Sequence, residues 1–162
     1  MNLVGVRVDD RLIHGQVVVG CCEFLQVKRL VLANEEAADD PLQSRLFRSA
    51  VPPSIELEIL SLEAAASYLR ELERVADQKA TLLVLESPED VLRLVEDGLE
   101  LSEVVLGGIH HHQKSREIWP GYFLDDTQLE ALRALLRRGI SVAVQSIPGA
   151  SRIDGRVALE SR

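Results

Sequence analysis

The chain lacks any long apolar run. Nothing in its 162 residues approaches the roughly 20 consecutive apolar positions that cross a bilayer. No basic segment leads into an apolar stretch near the start, so neither a membrane anchor nor a secretion signal is expected. Cysteine is scarce, and the two present, Cys21 and Cys22, are adjacent. Neighbours on a helix point about 100° apart, which disfavours a disulfide between them. Free thiols fit a reducing compartment, and a cytoplasmic chain is expected. Positive charge is short as well: 18 Lys and Arg face 26 Asp and Glu, a net charge of −8. That balance argues against general nucleic-acid binding. Also missing are a P-loop, a GxGxxG after a strand, an HExxH pair and a nucleophile elbow.

What remains is ordinary globular material, with 46% apolar residues. A chain of this length buries a sizeable core, and one domain over residues 1–162 is expected. Apolar strand-like runs recur at Leu3–Val8, Arg29–Ala33, Ile55–Leu60, Thr81–Leu85, Val104–Leu106 and Ser141–Gln145. Their continuous apolar character suits strands covered on both faces. Helical punctuation lies between them. Asp40-Pro41 is an N-cap with proline at the first helical position. Ser61 precedes an apolar face at Leu62, Ala65, Ala66, Leu69 and Leu72. Ser87-Pro88-Glu89-Asp90 caps the next helix and sets acids where the helix dipole favours them. Asp125 and Asp126 open a last helix that Arg137, Arg138 and Gly139 close. Repeated strand–helix–strand units predict an α/β fold: an open, mainly parallel, twisted sheet with helices on both faces.

The richest stretch is Arg7-Val8-Asp9-Asp10-Arg11-Leu12-Ile13-His14-Gly15-Gln16-Val17. It places a histidine after the first strand, at the mouth of a helix predicted over Gly15 to Gln26. A neutral imidazole is a competent nucleophile near neutral pH. A phosphoryl group held on it needs charge compensation, donors for its oxygens and access from solvent. The backbone N–H groups of Gly15, Gln16 and Val17 offer donors at a helix start. Arg11 offers a forked donor pair, and Asp9 or Asp10 can orient Arg11 or the ring. The other reading is a histidine that merely caps or packs at a helix start; spacing alone does not separate the two. The helix after it reads as mostly buried, with Cys21 and Cys22 as core filling.

A second cluster is Gly107-Gly108-Ile109-His110-His111-His112-Gln113-Lys114, in a segment to Gly121 that reads as a long functional loop. Three consecutive histidines in extended chain point in alternating directions, so a shared metal is not expected. Two readings stand: Gly108 and His110 help to hold phosphate in a cationic wall, or the loop is simply solvated. Gln145-Ser146-Ile147-Pro148 ends the last strand on the same predicted sheet edge, lining the site or merely leaving the strand.

Taken together, Asp9-Asp10-Arg11-Leu12-Ile13-His14-Gly15-Gln16-Val17 closely resembles the signature of the IIB component in the mannose/fructose/sorbose family of the bacterial phosphoenolpyruvate-dependent sugar phosphotransferase system (PTS). Pro52-Pro53, Ser87-Pro88-Glu89-Asp90, Gly107-Gly108, Gln145 and Pro148 follow in the family's order, so the resemblance spans nearly the whole chain. It implies transient phosphorylation of His14 on Nδ1 by a phosphohistidine of a IIA protein or domain. Delivery to a hexose-type sugar held by the membrane components IIC and IID follows, with Arg11 stabilising the phosphate and Asp9 supporting the loop. It implies no metal and no organic cofactor. Two other functions fit the residues: a regulatory phosphocarrier uncoupled from transport, and a non-catalytic domain binding an anion or metal.

Overall fold

The computed structural model describes residues 1–160. The chain opens with strand β1 (Leu3–Asp9), a π-helix (Gln16–Cys22) and β2 (Arg29–Ala33). Helices α1 (Glu35–Asp39) and α2 (Pro41–Ala50) lead to β3 (Glu56–Leu60), α3 (Leu62–Arg74) and β4 (Thr81–Leu85). Then come α4 (Pro88–Glu96), β5 (Glu103–Gly108), and a ribbon of β6 (Arg116–Trp119) with β7 (Tyr122–Leu124). Helix α5 (Asp126–Arg137), β8 (Ser141–Val144), β9 (Ile153–Asp154) and α6 (Gly155–Glu160) complete the described chain.

Seven strands form one sheet in the order β3-β2-β4-β1-β5-β8-β9. All neighbours run parallel except β9, which is antiparallel to β8. Crossovers of this kind put helices on both faces. One face packs against α3, α4 and α5 through Leu69, Leu94 and Leu132, among others. The opposite face packs against the π-helix and α1 through Val17, Cys22 and Ala37. Strands β2 and β4 are buried along their full length, as their unbroken apolar runs require. Among the described residues no helix is long and apolar enough to cross a membrane.

The predicted caps form as read. Asp40 accepts from the amides of Leu42 and Gln43, and Ser61 from that of Ala64. Ser87 with Asp90, and Asp125 with Gln128, make reciprocal capping boxes. Four features depart from expectation. The segment after Gly108 is no continuous loop: Pro120-Gly121 turns the chain so that β6 and β7 pair antiparallel. The helix expected over Gly15 to Gln26 is a π-helix with helical residues only to Phe24, and Gln26 at φ 53 ends it. Its burial is one-sided: Val17, Val18, Cys21 and Cys22 are buried, whereas Val19 and Phe24 are exposed because no element lies over their side. Helix α1, capped by Asn34, and the β9–α6 tail carry too short a pattern to register in the sequence.

Candidate functional site

The order β4-β1-β5 sets the carboxyl end of β1 beside that of β5, so the chain leaving Asp9 meets the chain leaving Gly108. The Asp10 amide donates to the Gly108 carbonyl at 2.9 Å and clamps the two exits together. After β1 the backbone turns sharply, with the Leu12 amide donating to the Asp9 carbonyl at 2.9 Å. Leu12 adopts φ 58 with its side chain buried. A left-handed leucine costs on the order of 1–3 kcal/mol, the kind of strain that well-packed sites tolerate. It delivers His14 to the foot of the π-helix.

Asp9 is the hub of the site, at 0% exposure. Its Oδ2 accepts from Arg7 Nη2 at 2.8 Å and from Arg7 Nε at 3.3 Å. Its Oδ1 accepts from the Arg11 amide at 3.2 Å and lies 3.5 Å from Arg11 Nε. His14 Nε2 is buried 2.9 Å from Asp9 Oδ2, a close charge contact without a straight hydrogen bond. Burial pushes the Asp9 carboxyl up, but the contacts with His14 and Arg7 outweigh it and hold the group below its ordinary range. Asp9 therefore stays ionised, and a carboxylate beside Nε2 keeps the proton on that nitrogen.

The other ring nitrogen is thereby the acceptor. The Gln16 amide approaches His14 Nδ1 at 3.4 Å, a long contact that marks Nδ1 as the unprotonated atom. The ring is 18% exposed. Arg11 reaches around it from the loop, with Nη2 donating to Gln16 Oε1 at 2.9 Å and nearly half of its side chain in solvent. Two guanidinium groups and one imidazole thus share a single carboxylate.

Several expected contributors have other work. Val17 does not offer a free amide: its N–H, like that of Val18, runs to the His14 carbonyl at 3.0 Å, because a tight i→i−3 turn opens the helix there. Of the three amides expected, that of Gln16 faces the ring at Nδ1. Asp10 is turned away from the imidazole; its Oδ1 meets His110 Nδ1 at 2.7 Å and its Oδ2 accepts the His110 amide at 2.6 Å. Asp10 and His110 therefore latch the two loops instead of lying open to an anion. His111 stacks edge-on against Phe123, and His112 lies 3.7 Å from Asp125, so the three histidines diverge. Among the described residues no group of His, Cys, Asp or Glu is arranged to hold a metal.

Gly108 makes room more than it binds: a Cβ there would come 3.2 Å from both Asp9 carboxylate oxygens and 3.3 Å from Arg11 Nη2. Gly107 is stricter, since a Cβ would fall 1.9 Å from Arg7 Cζ. Gln145 turns away from His14, donating to the Ala150 carbonyl at 2.9 Å. Sequence reasoning gave Arg7 no role. A signal existed: an arginine in the middle of an apolar strand, two residues before an aspartate and hence on the same face as it.

The family model described as PTS system sorbose subfamily IIB component matches residues 3–161. The N-acetylgalactosamine-specific phosphotransferase enzyme IIB component 2 of Escherichia coli K12 is 30% identical over 153 residues, 94% of this chain and 96% of that protein. The mannose-specific EIIAB component of the same strain is 28% identical over 141 residues, 87% of this chain and 43% of that longer protein. The crystal structure of the IIBSor domain of the sorbose permease from Klebsiella pneumoniae superposes with a TM-score of 0.91 at 23% identity, covering 99% of this chain and 98% of that one. At that identity the superposition speaks for the fold alone.

Proposed function

Because the chain belongs to the sorbose subfamily of PTS IIB components, which serve phosphoryl transfer in sugar uptake together with IIA and IIC/IID components, we propose that His14 is its phosphoryl-carrying residue and Nδ1 the reacting atom. One observation carries this reading: Nε2 lies against the Asp9 carboxylate, which leaves the lone pair on Nδ1. In this reading Nδ1 attacks the phosphorus of a phosphohistidine on the IIA donor, in line with the donor N–P bond, which breaks. Later a hydroxyl of a hexose-type sugar, presented by IIC and IID, attacks the same phosphorus. The His14 N–P bond breaks with its electron pair returning to Nδ1, and the hydroxyl proton leaves to solvent. The class is a protein-Nπ-phosphohistidine–sugar phosphotransferase.

Such transfer rests on positioning and charge stabilisation more than on covalent activation. Asp9 fixes the tautomer and the ring orientation. Arg11, half in solvent and tethered only through Gln16 and Asp9, is placed to swing onto the incoming phosphoryl oxygens. The amides of Gly15 and Gln16 supply further donors once the long Gln16–Nδ1 contact is displaced. No nucleic acid partner and no cofactor enter this scheme, and the domain assignment over residues 1–162 and a cytoplasmic location belong to the same proposal.

The test is labelling with phosphoenolpyruvate, the general PTS proteins and a IIA protein. The expected product is one acid-labile phosphate on His14, with a 31P resonance typical of Nδ1 substitution and absent from His14→Ala. Wild-type protein that stays unlabelled under conditions that label a relative overturns the proposal.

A further inference from the structure

The face of the sheet that carries the π-helix is incompletely covered. Beyond that helix, over β1 and β5, lies a pocket of about 260 Å³. Cys21, Phe24, Leu25, Leu82, Val105 and Pro148 give it apolar walls. It sits under the C-terminal half of the helix whose N-terminal end bears His14, so it is separate from the phosphoryl site.

Arg7 also lines this pocket. Its side chain is only 4% exposed. Nε and Nη2 are spent on Asp9, but Nη1 has no hydrogen-bond partner among the described residues. Nη1 is not walled off in the interior; it keeps its hydrogens for water or for an acceptor that enters the pocket. The charge count points the same way. Asp9 alone answers the two guanidinium groups of Arg7 and Arg11, while Asp10, the nearest other acid on the loop, is taken by His110. At the outer rim Arg152 is already paired with Glu103, and Gln145 is held by Ala150 and Arg152. The unmet demand is for one negative charge, at the inner end of an apolar cavity.

We infer that this pocket binds a small monocarboxylate with a compact apolar body, seated with its carboxylate on Arg7 Nη1 and coupled to His14 through Arg7 and Asp9. The volume suits about ten heavy atoms, below the usual span of drug-sized sites. A phosphate fits poorly, since the walls offer it almost no donors. A carboxylate on Nη1 draws on the positive charge that now faces Asp9, so Asp9 presents a stronger negative field to the phosphoryl group. Occupancy therefore slows phosphorylation of His14, and phosphorylation in turn weakens the pocket, because coupling between two sites is reciprocal.

The experiment is a titration of the unphosphorylated full chain with benzoate, followed by 1H–15N chemical shifts, with benzamide as the uncharged control. The expected result is saturable shifts around Cys21–Leu25 and Pro148–Gly149, with benzamide about tenfold weaker or more. Val105→Trp fills the pocket and is expected to abolish the shifts; Leu25→Trp fills it from the helix side should the first variant fail to fold. No saturable shift with benzoate overturns the inference, as do benzamide binding equally well or shifts that persist in a folded, filled variant. The coupling rests on the carrier reading but the binding site does not: benzoate binding to a chain that never labels on His14 would sink the carrier proposal and the coupling, and leave the carboxylate site standing.

Discussion

The guanidinium of Arg7 lies flat over Gly107, on the neighbouring strand, so closely that a Cβ on the glycine would fall 1.9 Å from Cζ. The same guanidinium donates twice to Asp9, which contacts His14. A glycine on β5 thus sets the height at which the His14 imidazole is held on the loop after β1.

Gly107→Ala is therefore expected to displace Arg7 and to destabilise the fold by about 1–3 kcal/mol, the range of overpacking in a tight interior. Placed in an Arg7→Met background, the same change should cost clearly less, because the clash is gone. Urea unfolding of the four proteins in that cycle measures the coupling. Equal costs in both backgrounds would show that Arg7 is not what the methyl group meets.

Asp9→Asn keeps the shape and removes the charge. Arg7 is then buried without a counterion, at a cost of about 3–5 kcal/mol. The pH dependence has a definite sign. Asp9 titrates below its ordinary value in the folded chain, so on acidification the unfolded chain takes up the proton first. The stabilisation by ionised Asp9 is complete above the unfolded value of about 3.9 and fades as pH falls through the folded one. Wild type and Asp9→Asn should differ by a constant amount from neutral pH down to about 5 and converge below about 4. Chemical unfolding across that range checks it.

Arg11→Ala is expected to leave stability nearly unchanged, since the side chain is 44% exposed, and to slow phosphoryl transfer. Loss of one charge-assisted contact to a developing anion costs about 2–3 kcal/mol, or about 30- to 150-fold in rate. Rapid-quench measurement of transfer from phosphorylated IIA reads this directly. An unchanged rate would remove Arg11 from the reaction.

His110→Ala separates two roles. As a latch to Asp10 the ring is half exposed, and its loss should cost less than about 1 kcal/mol with little change in transfer rate. As a phosphate ligand its loss would slow transfer by about tenfold or more. Faster hydrogen exchange at Asp10 and Arg11 is the expected signature of an opened latch.

How much of this was legible in advance follows from the range of each interaction. Strands β2 and β4 were plain because a strand buried on both faces must be apolar throughout. The caps at Asp40, Ser61, Ser87 and Asp125 were plain because each acts within three residues of itself. His14 stood out because a loop leaving a strand and entering a helix is itself a local pattern.

The partners of those residues were another matter. That Asp10 would hold His110, 100 residues away, depends on β1 and β5 being neighbours, and strand order leaves no mark on either segment. The ribbon of β6 and β7 was missed because its strands of four and three residues are too short to show a period. The Val17 amide was lost to the His14 carbonyl through a tight i→i−3 turn just before the π-helix, whereas a plain helical reading leaves the first amides free. The amino-acid order by itself determined which segments become strands and helices, and which loop carries the histidine, since these follow from hydrophobic pattern and backbone chemistry close along the chain. Only the tertiary structure decided that Asp9 faces Nε2 and that Arg7 is wedged above Gly107. The second contact arises when β1 and β5 are laid side by side, the first when the turn at Leu12 folds the loop back over the buried carboxylate.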